Sequence, residues 1–455
     1  MPNQKLTSDA LSRAEGIALG KALRETVPRS SHEQWQPAAD RPEPIALLAA
    51  SNQGRLAELV PIRYGRMLAS PFAFLRGAAS IMAFDLSQTP KTGLKVQAGG
   101  DCHLSNFGGY GTPERNLVFD VDDFDETLPA PWEWDVKRLA TSIIVAGRSL
   151  ELSDKISRVA ALAAVQSYRD RMNEYAQMSA MDVWYTHIGV ESLLSFTSRA
   201  KEIKKLKLEV EKAQAFKPLL ELHKLTEMAN GQLRFIDRPP VVSHPSSDDP
   251  LAVEMLSVFH KYRLTLREDF RVLLDRYRVV DIAMKVVGVG SVGTRCGVAL
   301  LVTGDNDPLF LQIKEARTSV LEPYAGKSAY KNQAQRVVAG QHLMQAASDI
   351  FLGWTKGDSG HDFYLRQLRD MKTSVEIEGM SETDLRGYAH LCGWALARSH
   401  ARSGDRFAIA GYLGQNDTFE RAIANFAVAY ADQNHRDYHQ LVEAVKSGQI
   451  QAIKE

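Results

Sequence analysis

Gly100-Asp101-Cys102-His103-Leu104-Ser105-Asn106-Phe107-Gly108 is the stretch on which the fold turns. It follows Leu94–Ala98, whose alternation of apolar and polar residues reads as a short strand running into Gly99-Gly100. Asp101 and Asn106 stand five positions apart. A loop of that spacing presents one carboxylate that can take a proton from a hydroxyl and one amide oxygen that can add a neutral ligand to a hard cation. The glycines ahead of it let the backbone turn. Downstream, Phe119-Asp120-Val121-Asp122-Asp123-Phe124-Asp125-Glu126 places five carboxylates in seven residues. Such a run repels itself unless a cation or basic group lies beside it. An acidic surface loop is the plain alternative, but the interleaved Val118, Phe119, Val121 and Phe124 argue for partial burial.

A second stretch, Gly288-Val289-Gly290-Ser291-Val292-Gly293, is a G-x-G-x-x-G, weak on its own. A dinucleotide fingerprint must open a helix, whereas Thr294–Val302 reads as a strand. Strand, glycine loop, strand is the arrangement in which backbone folds over phosphates, with Gly288, Gly290, Ser291 and Gly293 as candidates. The next strand, Phe310-Leu311-Gln312-Ile313-Lys314, ends in a lysine suited to nucleotide phosphates. Without the loop that lysine would read as a solvated strand end. No acidic residue lies between Tyr330 and Ser348 to orient it, so Glu315 or Glu322 is left for that role.

G-D-x-H-x-x-N followed by a strand and Asp123-Phe124-Asp125 resembles the catalytic core of aminoglycoside- and choline-kinase-type phosphotransferases. In that family a metal-binding Asp is followed twelve residues on by a structural Asp opening a helix, the separation of Asp123 and Asp135 in Trp134-Asp135-Val136-Lys137-Arg138-Leu139-Ala140. The resemblance implies an α+β, helix-rich, two-lobe protein-kinase-like fold using ATP and Mg²⁺. Asp101 would be the base, Asn106 and Asp123 the metal ligands, and Asp135 a scaffold. The gap from Asn106 to Asp123 is longer than usual, so Asp120 and Asp125 stay open as ligands. The glycine loop follows the acidic half instead of preceding it, which implies circular permutation. Leu391–His400 resembles the helix that leads into such a catalytic loop, and Pro71–Phe84 competes for that role. The chain as a whole also resembles a bacterial family, domain of unknown function 2252. The residues that carry this likeness are Arg63-Tyr64-Gly65-Arg66-Met67, Phe74-Leu75-Arg76-Gly77-Ala78, Gly100–Gly108, Asp122–Glu126, Lys314-Glu315-Ala316 and Phe351-Leu352-Gly353-Trp354.

Working outward, 455 residues exceed one compact core. Helical periodicity runs through Ala10–Leu23 and Ile45–Met67, with Ser70-Pro71 as cap and first turn of a helix to about Phe84. Helical patterning resumes from Trp132 to about Met228, with Ser153 as a cap and a lysine-rich run, Lys201–Lys207, that reads as a solvated face. Arg238–Pro250 reads as a linker, then a helix is expected from about Leu251 to Tyr277. Strands are expected at Ile282–Val287, Gly297–Val302, Leu309–Ile313 and Phe363–Leu368. Helices are expected at Asn332–Ala347, Asp384–Ala401 and Phe419–Val445. The resulting partition is an N-terminal helical region (1–98), a catalytic-loop and helical lobe (99–237), a linker and connecting helix (238–278), a strand-rich glycine-loop lobe (279–372) and a C-terminal helical region (373–455).

Lys plus Arg equals Asp plus Glu at 55 each, which gives no reason to expect nucleic acid or an anionic membrane as partner. No apolar run is long enough to span a bilayer, and Cys102, Cys296 and Cys392 form no CxxC, so a cytoplasmic, reduced setting is expected. The expected partners are a nucleotide and a small-molecule or protein acceptor. A variant of the phosphotransferase reading transfers the nucleotide instead with the same parts, and two further readings are a nucleotide-binding regulator without catalysis and a metal-dependent phosphoesterase built on Asp101-x-His103. His103 reads as a loop residue that hydrogen-bonds backbone and fixes Asp101, not as a chemical participant, while Arg76 and Arg138 are candidates to contact phosphate or the acidic cluster, options the pattern does not separate.

Overall fold

The computed structural model describes residues 11–195, 208, 210–211, 218–229, 231–246, 249–368 and 371–454; Lys201–Lys207 lies outside them. The N-terminal helices are α1 (Arg13–Thr26), α2 (Pro44–Ser51), α3 (Val60–Met67), α4 (Pro71–Gly77) and α5 (Ala79–Ser87). Ser70 caps α4 as read, its hydroxyl accepting from Ala73 N at 3.0 Å with Pro71 in the first turn. The single helix expected to Phe84 is broken at Ala78 (φ −108°, ψ 30°). Gly77 lies so close to α3 that a Cβ there would sit 2.6 Å from Met67 Cγ, and its freed carbonyl accepts from Arg63 Nη2 at 2.7 Å.

Strand β1 (Lys95–Ala98) pairs antiparallel with β4 (Leu128–Pro131), and between them β2 (Phe107–Gly111) pairs antiparallel with β3 (Leu117–Val121). These two hairpin-like pairs carry the Asp101 loop and the acidic loop out of neighbouring strands. Strand β2 escapes sequence reading because FGGYG has low strand propensity. Its glycines answer to a close approach instead, since a Cβ on Gly108 would meet the Thr373 carbonyl oxygen at 2.7 Å. Helices α6 (Trp132–Ser149) and α7 (Asp154–Tyr175) follow, and the Ser153 cap holds, with Oγ accepting from Ile156 N at 3.4 Å. The helical expectation to Met228 fails at its end, where Thr226–Ala229 pairs with Gln232–Phe235 around Gly231 at φ +77°. Phe235 is buried against Phe310 and Val298, a tertiary contact that overrides local periodicity.

The six-stranded sheet is wholly antiparallel. Its strands are β5 (Val242–Ser243), β6 (Arg278–Lys285), β7 (Cys296–Val302), β8 (Pro308–Ala316), β9 (Gly353–Lys356) and β10 (Asp362–Gln367), in the spatial order β9-β10-β8-β7-β6-β5. Alternation along β8 sends Leu309, Leu311 and Ile313 into a core with Met255, Val258 and Tyr262 of α8 (Pro250–Arg263). Each such fully buried side chain contributes about 2 kcal/mol. The same alternation turns Gln312 and Lys314 to the opposite face. The helix expected to Tyr277 stops at Arg263, a second short helix spans Glu268–Leu274, and Thr265 between them donates its hydroxyl to the Trp354 carbonyl at 2.7 Å.

Helix α9 (Gln333–Met344) connects β8 to β9 and is capped by Asn332, which accepts from Gln335 N at 2.9 Å. Helices α10 (Glu382–Ser403), α11 (Arg406–Leu413) and α12 (Thr418–Lys446) close the main core with α6 and α7 around Trp132, Ile143, Leu396 and Phe426. The protein is thus a mixed α+β structure. The three cysteines are buried and free. Among the described residues no helix is long and apolar enough to cross a membrane.

Candidate functional site

Asp135 sets the geometry of the Asp101 loop. Near the start of α6, its carboxylate accepts from Gly99 N at 2.7 Å and Gly100 N at 3.0 Å, with His400 Nε2 3.2 Å away. Gly100 sits at φ +81°, and a Cβ there would lie 2.5 Å from the Glu126 carbonyl oxygen, so the turn demands glycine. Beyond it, Asp101 receives two hydrogen bonds from Arg138 on α6 (Nε 2.8 Å, Nη2 2.5 Å). Burial pushes the Asp101 carboxyl up to about 7, against the pull of Arg138 and with added repulsion from Glu126 and Asp123. Asn106 donates its amide N–H to the Asp101 carbonyl at 2.8 Å. That bond sets the amide's orientation and leaves Oδ1 without a partner among the described residues.

The acidic run separates into distinct roles. Asp120, left open as a metal ligand by sequence, is buried, bonded to Arg398 of α10 and to Ala346 N at 3.1 Å, so it joins α10 to β3 and stands outside the cavity. Among the described residues Asp123 accepts only from Asp125 N–H, at 3.1 Å, and burial followed by repulsion from Asp125 raises its carboxyl. Asp125 is bonded to Lys314 Nζ at 2.7 Å, to the Tyr364 hydroxyl at 2.6 Å and to Ser291 Oγ at 3.1 Å. Burial alone would raise the Asp125 carboxyl, but Lys314 outweighs it and holds the group below the usual carboxylate range. Lys314, only 4% exposed, is likewise held above its ordinary value by Asp125 against the cost of burial. Neither glutamate left for that lysine serves it: Glu315 accepts from Arg295, and Glu322 from Gln333 Nε2 at 3.3 Å.

One cavity of about 530 Å³ is lined by Asp101, Asn106, Asp123 and Asp125 together with Gly288, Gly290 and Ser291. Gly293 and Lys314 are not part of its lining. Gly293, at φ +86°, is buried behind Arg55 with its carbonyl accepting from Leu56 N at 2.7 Å, and Lys314 lies behind Asp125. Sequence reasoning missed Arg55 and Arg317 on the same walls and gave no separate role to Arg63 or Glu126, although Arg63, Arg76 and Glu126 fall within the stretches that carry the bacterial family likeness. Arg76 and Arg138 part company: Arg138 serves Asp101, whereas Arg76 faces the cavity. A roomier cavity, about 740 Å³, opens between α8 and β6, but its walls are mainly apolar and its Arg263 and Asp275 are tied to each other.

Asn106 and Asp123 line the same cavity, and an amide oxygen and a carboxylate are the donor types a hard cation such as Mg²⁺ takes beside its waters. They do not make a cage: among the described residues no three His, Cys, Asp or Glu side chains converge to hold a metal. His103 gives the Asp-x-His reading little help, since its Nε2 is 3.7 Å from Asp101 and no further His, Cys, Asp or Glu joins the pair as a metal group among the described residues. No curated protein and no solved structure matches the chain. A family model does, over residues 55–444, a span that takes in both halves of the cavity. The chain therefore belongs to the DUF2252 family, described as an uncharacterized protein conserved in bacteria.

Proposed function

We propose that this protein is an ATP–Mg²⁺-dependent phosphotransferase of permuted kinase-like architecture, acting on a hydroxyl of a small molecule or protein. The observation that carries the reading is the junction at Asp125, where the lysine strand, the glycine loop and the acidic loop meet through bonds of 2.7 Å to Lys314 and 3.1 Å to Ser291. Segments far apart in sequence thereby supply one cavity with a base, two hard-cation ligands and a glycine loop. Asp135 holding the backbone ahead of Asp101 supports the scaffold role that the phosphotransferase resemblance implies. An antiparallel sheet whose lysine strand β8 leads through α9 to β9 supports the fold.

In this reading the acceptor hydroxyl oxygen attacks the γ-phosphorus and its proton passes to the Asp101 carboxylate. The bond from the γ-phosphorus to the β,γ-bridging oxygen breaks, and ADP leaves with the electron pair. A carboxyl held near 7 is matched to taking a proton at neutral pH. Bound Mg²⁺, held by Asn106 and Asp123, would neutralise phosphate charge. Arg138 keeps Asp101 aimed, and Ser291 and the backbone of Gly288 and Gly290 face the phosphates.

Calorimetric titration with ATP, with and without Mg²⁺, beside Asp123→Ala and Lys314→Ala, tests this. Metal-dependent binding should weaken about tenfold in each variant, or about 1.4 kcal/mol. Nucleotide binding that is absent, or equal in wild type and both variants, would overturn it. A second reading, a nucleotide-binding regulator, is favoured by α9. In place of a glutamate for Lys314 that helix carries Arg336, whose guanidinium goes to the carbonyls of Thr127 (2.6 Å), Asp125 (2.8 Å) and Arg317 (2.8 Å). ATP that binds yet yields no ADP with any hydroxyl acceptor would select that reading.

A further inference from the structure

The cavity has a second pole that the transfer chemistry does not use. Arg55, Arg63, Arg76 and Arg317 line it, three of them from the N-terminal helical region and the fourth just past β8. None of the four forms a salt bridge with a described residue. Arg55 donates to the carbonyls of Ser51 (3.2 Å) and Val292 (2.6 Å), Arg63 to Ser51 Oγ (3.1 Å), Asn52 Oδ1 and the Gly77 carbonyl, and Arg317 to the carbonyls of Ser51 (3.1 Å) and Gln53. Arg76 makes no hydrogen bond with a described residue, and its Nε is buried without a partner. Arg63, 2% exposed, likewise has a buried, unpartnered Nε.

The carboxylates nearby act on these arginines only through space, Asp101 and Asp123 on Arg76 and Glu126 on Arg55 and Arg63, and most are bonded to other groups: Asp101 to Arg138, Asp125 to Lys314, Glu315 to Arg295, and Glu126 to Val320 N at 2.7 Å. Burial, then the neighbouring Arg63 and Arg317, drives the Arg55 guanidinium down to about 8. Guanidinium does not surrender its proton at neutral pH, so the depression marks a buried wall of like charges that Glu126 and Glu315 offset only in part.

We propose that this pole binds the phosphate of an acceptor that is itself phosphorylated, so that the substrate class is a hydroxyl compound already bearing a phosphate group. Converging guanidiniums hold a phosphate dianion through several charge-assisted bonds at once, and they would leave the acceptor's hydroxyl end toward Asp101 in the same cavity. This inference deepens the phosphotransferase reading and rests on it for the identity of the second ligand.

Inorganic phosphate is the probe, titrated calorimetrically into the free protein and into protein saturated with Mg²⁺ and the non-hydrolysable adenosine imidodiphosphate. The expected result is phosphate binding in both states, weakened at least tenfold in Arg76→Ala and Arg76→Gln. Nucleotide binding should stay within twofold in both variants, and their thermal midpoints should lie near that of wild type. Phosphate that binds wild type and both variants alike, or does not bind at all, overturns the proposal. Phosphate displaced by the nucleotide analogue also overturns it, by assigning the arginines to the nucleotide's own phosphates. Failure of nucleotide to bind wild type sinks the phosphotransferase reading alone, because the phosphate titration of free protein is scored separately.

Discussion

Arg41→Met should destabilise the fold in a manner set by pH. Arg41 lies in the segment before α2 and bonds two carboxylates: Asp85 of α5 through Nε (2.7 Å) and Nη2 (2.8 Å), and Asp437 of α12 through Nη1 (3.0 Å) and Nη2 (2.6 Å). Both carboxylates are essentially inaccessible to solvent. Burial by itself would lower the Arg41 guanidinium, but the two aspartates raise it above its ordinary value; burial keeps the Asp85 carboxyl above the usual range even with Arg41 beside it. Methionine keeps the stem and removes the charge, leaving two buried carboxylates facing one another. Breaking a buried pair from one side costs about 3–5 kcal/mol. An independent bound agrees: the variant can escape by protonating one carboxyl, which from an unfolded value near 3.9 costs about 4 kcal/mol at pH 7.

The sign follows from the same escape. In the variant the folded carboxyl titrates above its unfolded value, so stability is fully present below about pH 4 and is lost as pH rises, by about 1.4 kcal/mol per pH unit. Urea denaturation followed by tryptophan fluorescence should give a deficit against wild type of about 4 kcal/mol at pH 7 and about 2 kcal/mol at pH 5.5. Adding Asp85→Asn should recover much of it. A deficit under about 1 kcal/mol at pH 7, or one that is the same at both pH values, would refute the reasoning. The result bears on function because this anchor ties the segment ahead of α2 to α12, and α2 to α4 carry much of the arginine wall.

Other substitutions read the site directly. Asp101→Asn should abolish acceptor phosphorylation, measured as ADP release, while ATP·Mg²⁺ affinity by calorimetry stays within a few-fold; retained turnover would remove Asp101 from the base role. Gly100→Ala forces a Cβ to within 2.5 Å of the Glu126 carbonyl at a positive φ, so a loss of about 2 kcal/mol or more in urea unfolding is expected. Gly288→Ala sits at φ +61° with open space around it, so it should cost only about 1 kcal/mol in stability. A larger loss would mean that the loop is packed more tightly than the structure places it.

What local sequence determined is what depends on neighbours in the chain. The caps at Ser70 and Ser153, the strand period that buries Leu309, Leu311 and Ile313, and the D-x-x-x-x-N loop all follow from one residue's effect on the next few. Asp135 was singled out by the phosphotransferase resemblance, which implies a structural Asp twelve residues after Asp123, and not by its local sequence. Tertiary structure decided the rest. Strand β2 exists because Gly108 admits the Thr373 backbone, and the strand at Thr226–Ala229 exists because its partner carries Phe235 onto the sheet. Which carboxylates stay open to a cation is a matter of their partners: Asp120 is taken by Arg398 and Asp125 by Lys314, while Asp123 accepts only a backbone N–H among the described residues. The arginine wall draws Arg55, Arg63 and Arg76 together with Arg317, more than two hundred residues away, and linear spacing carries no signal for charges that meet only across a cavity.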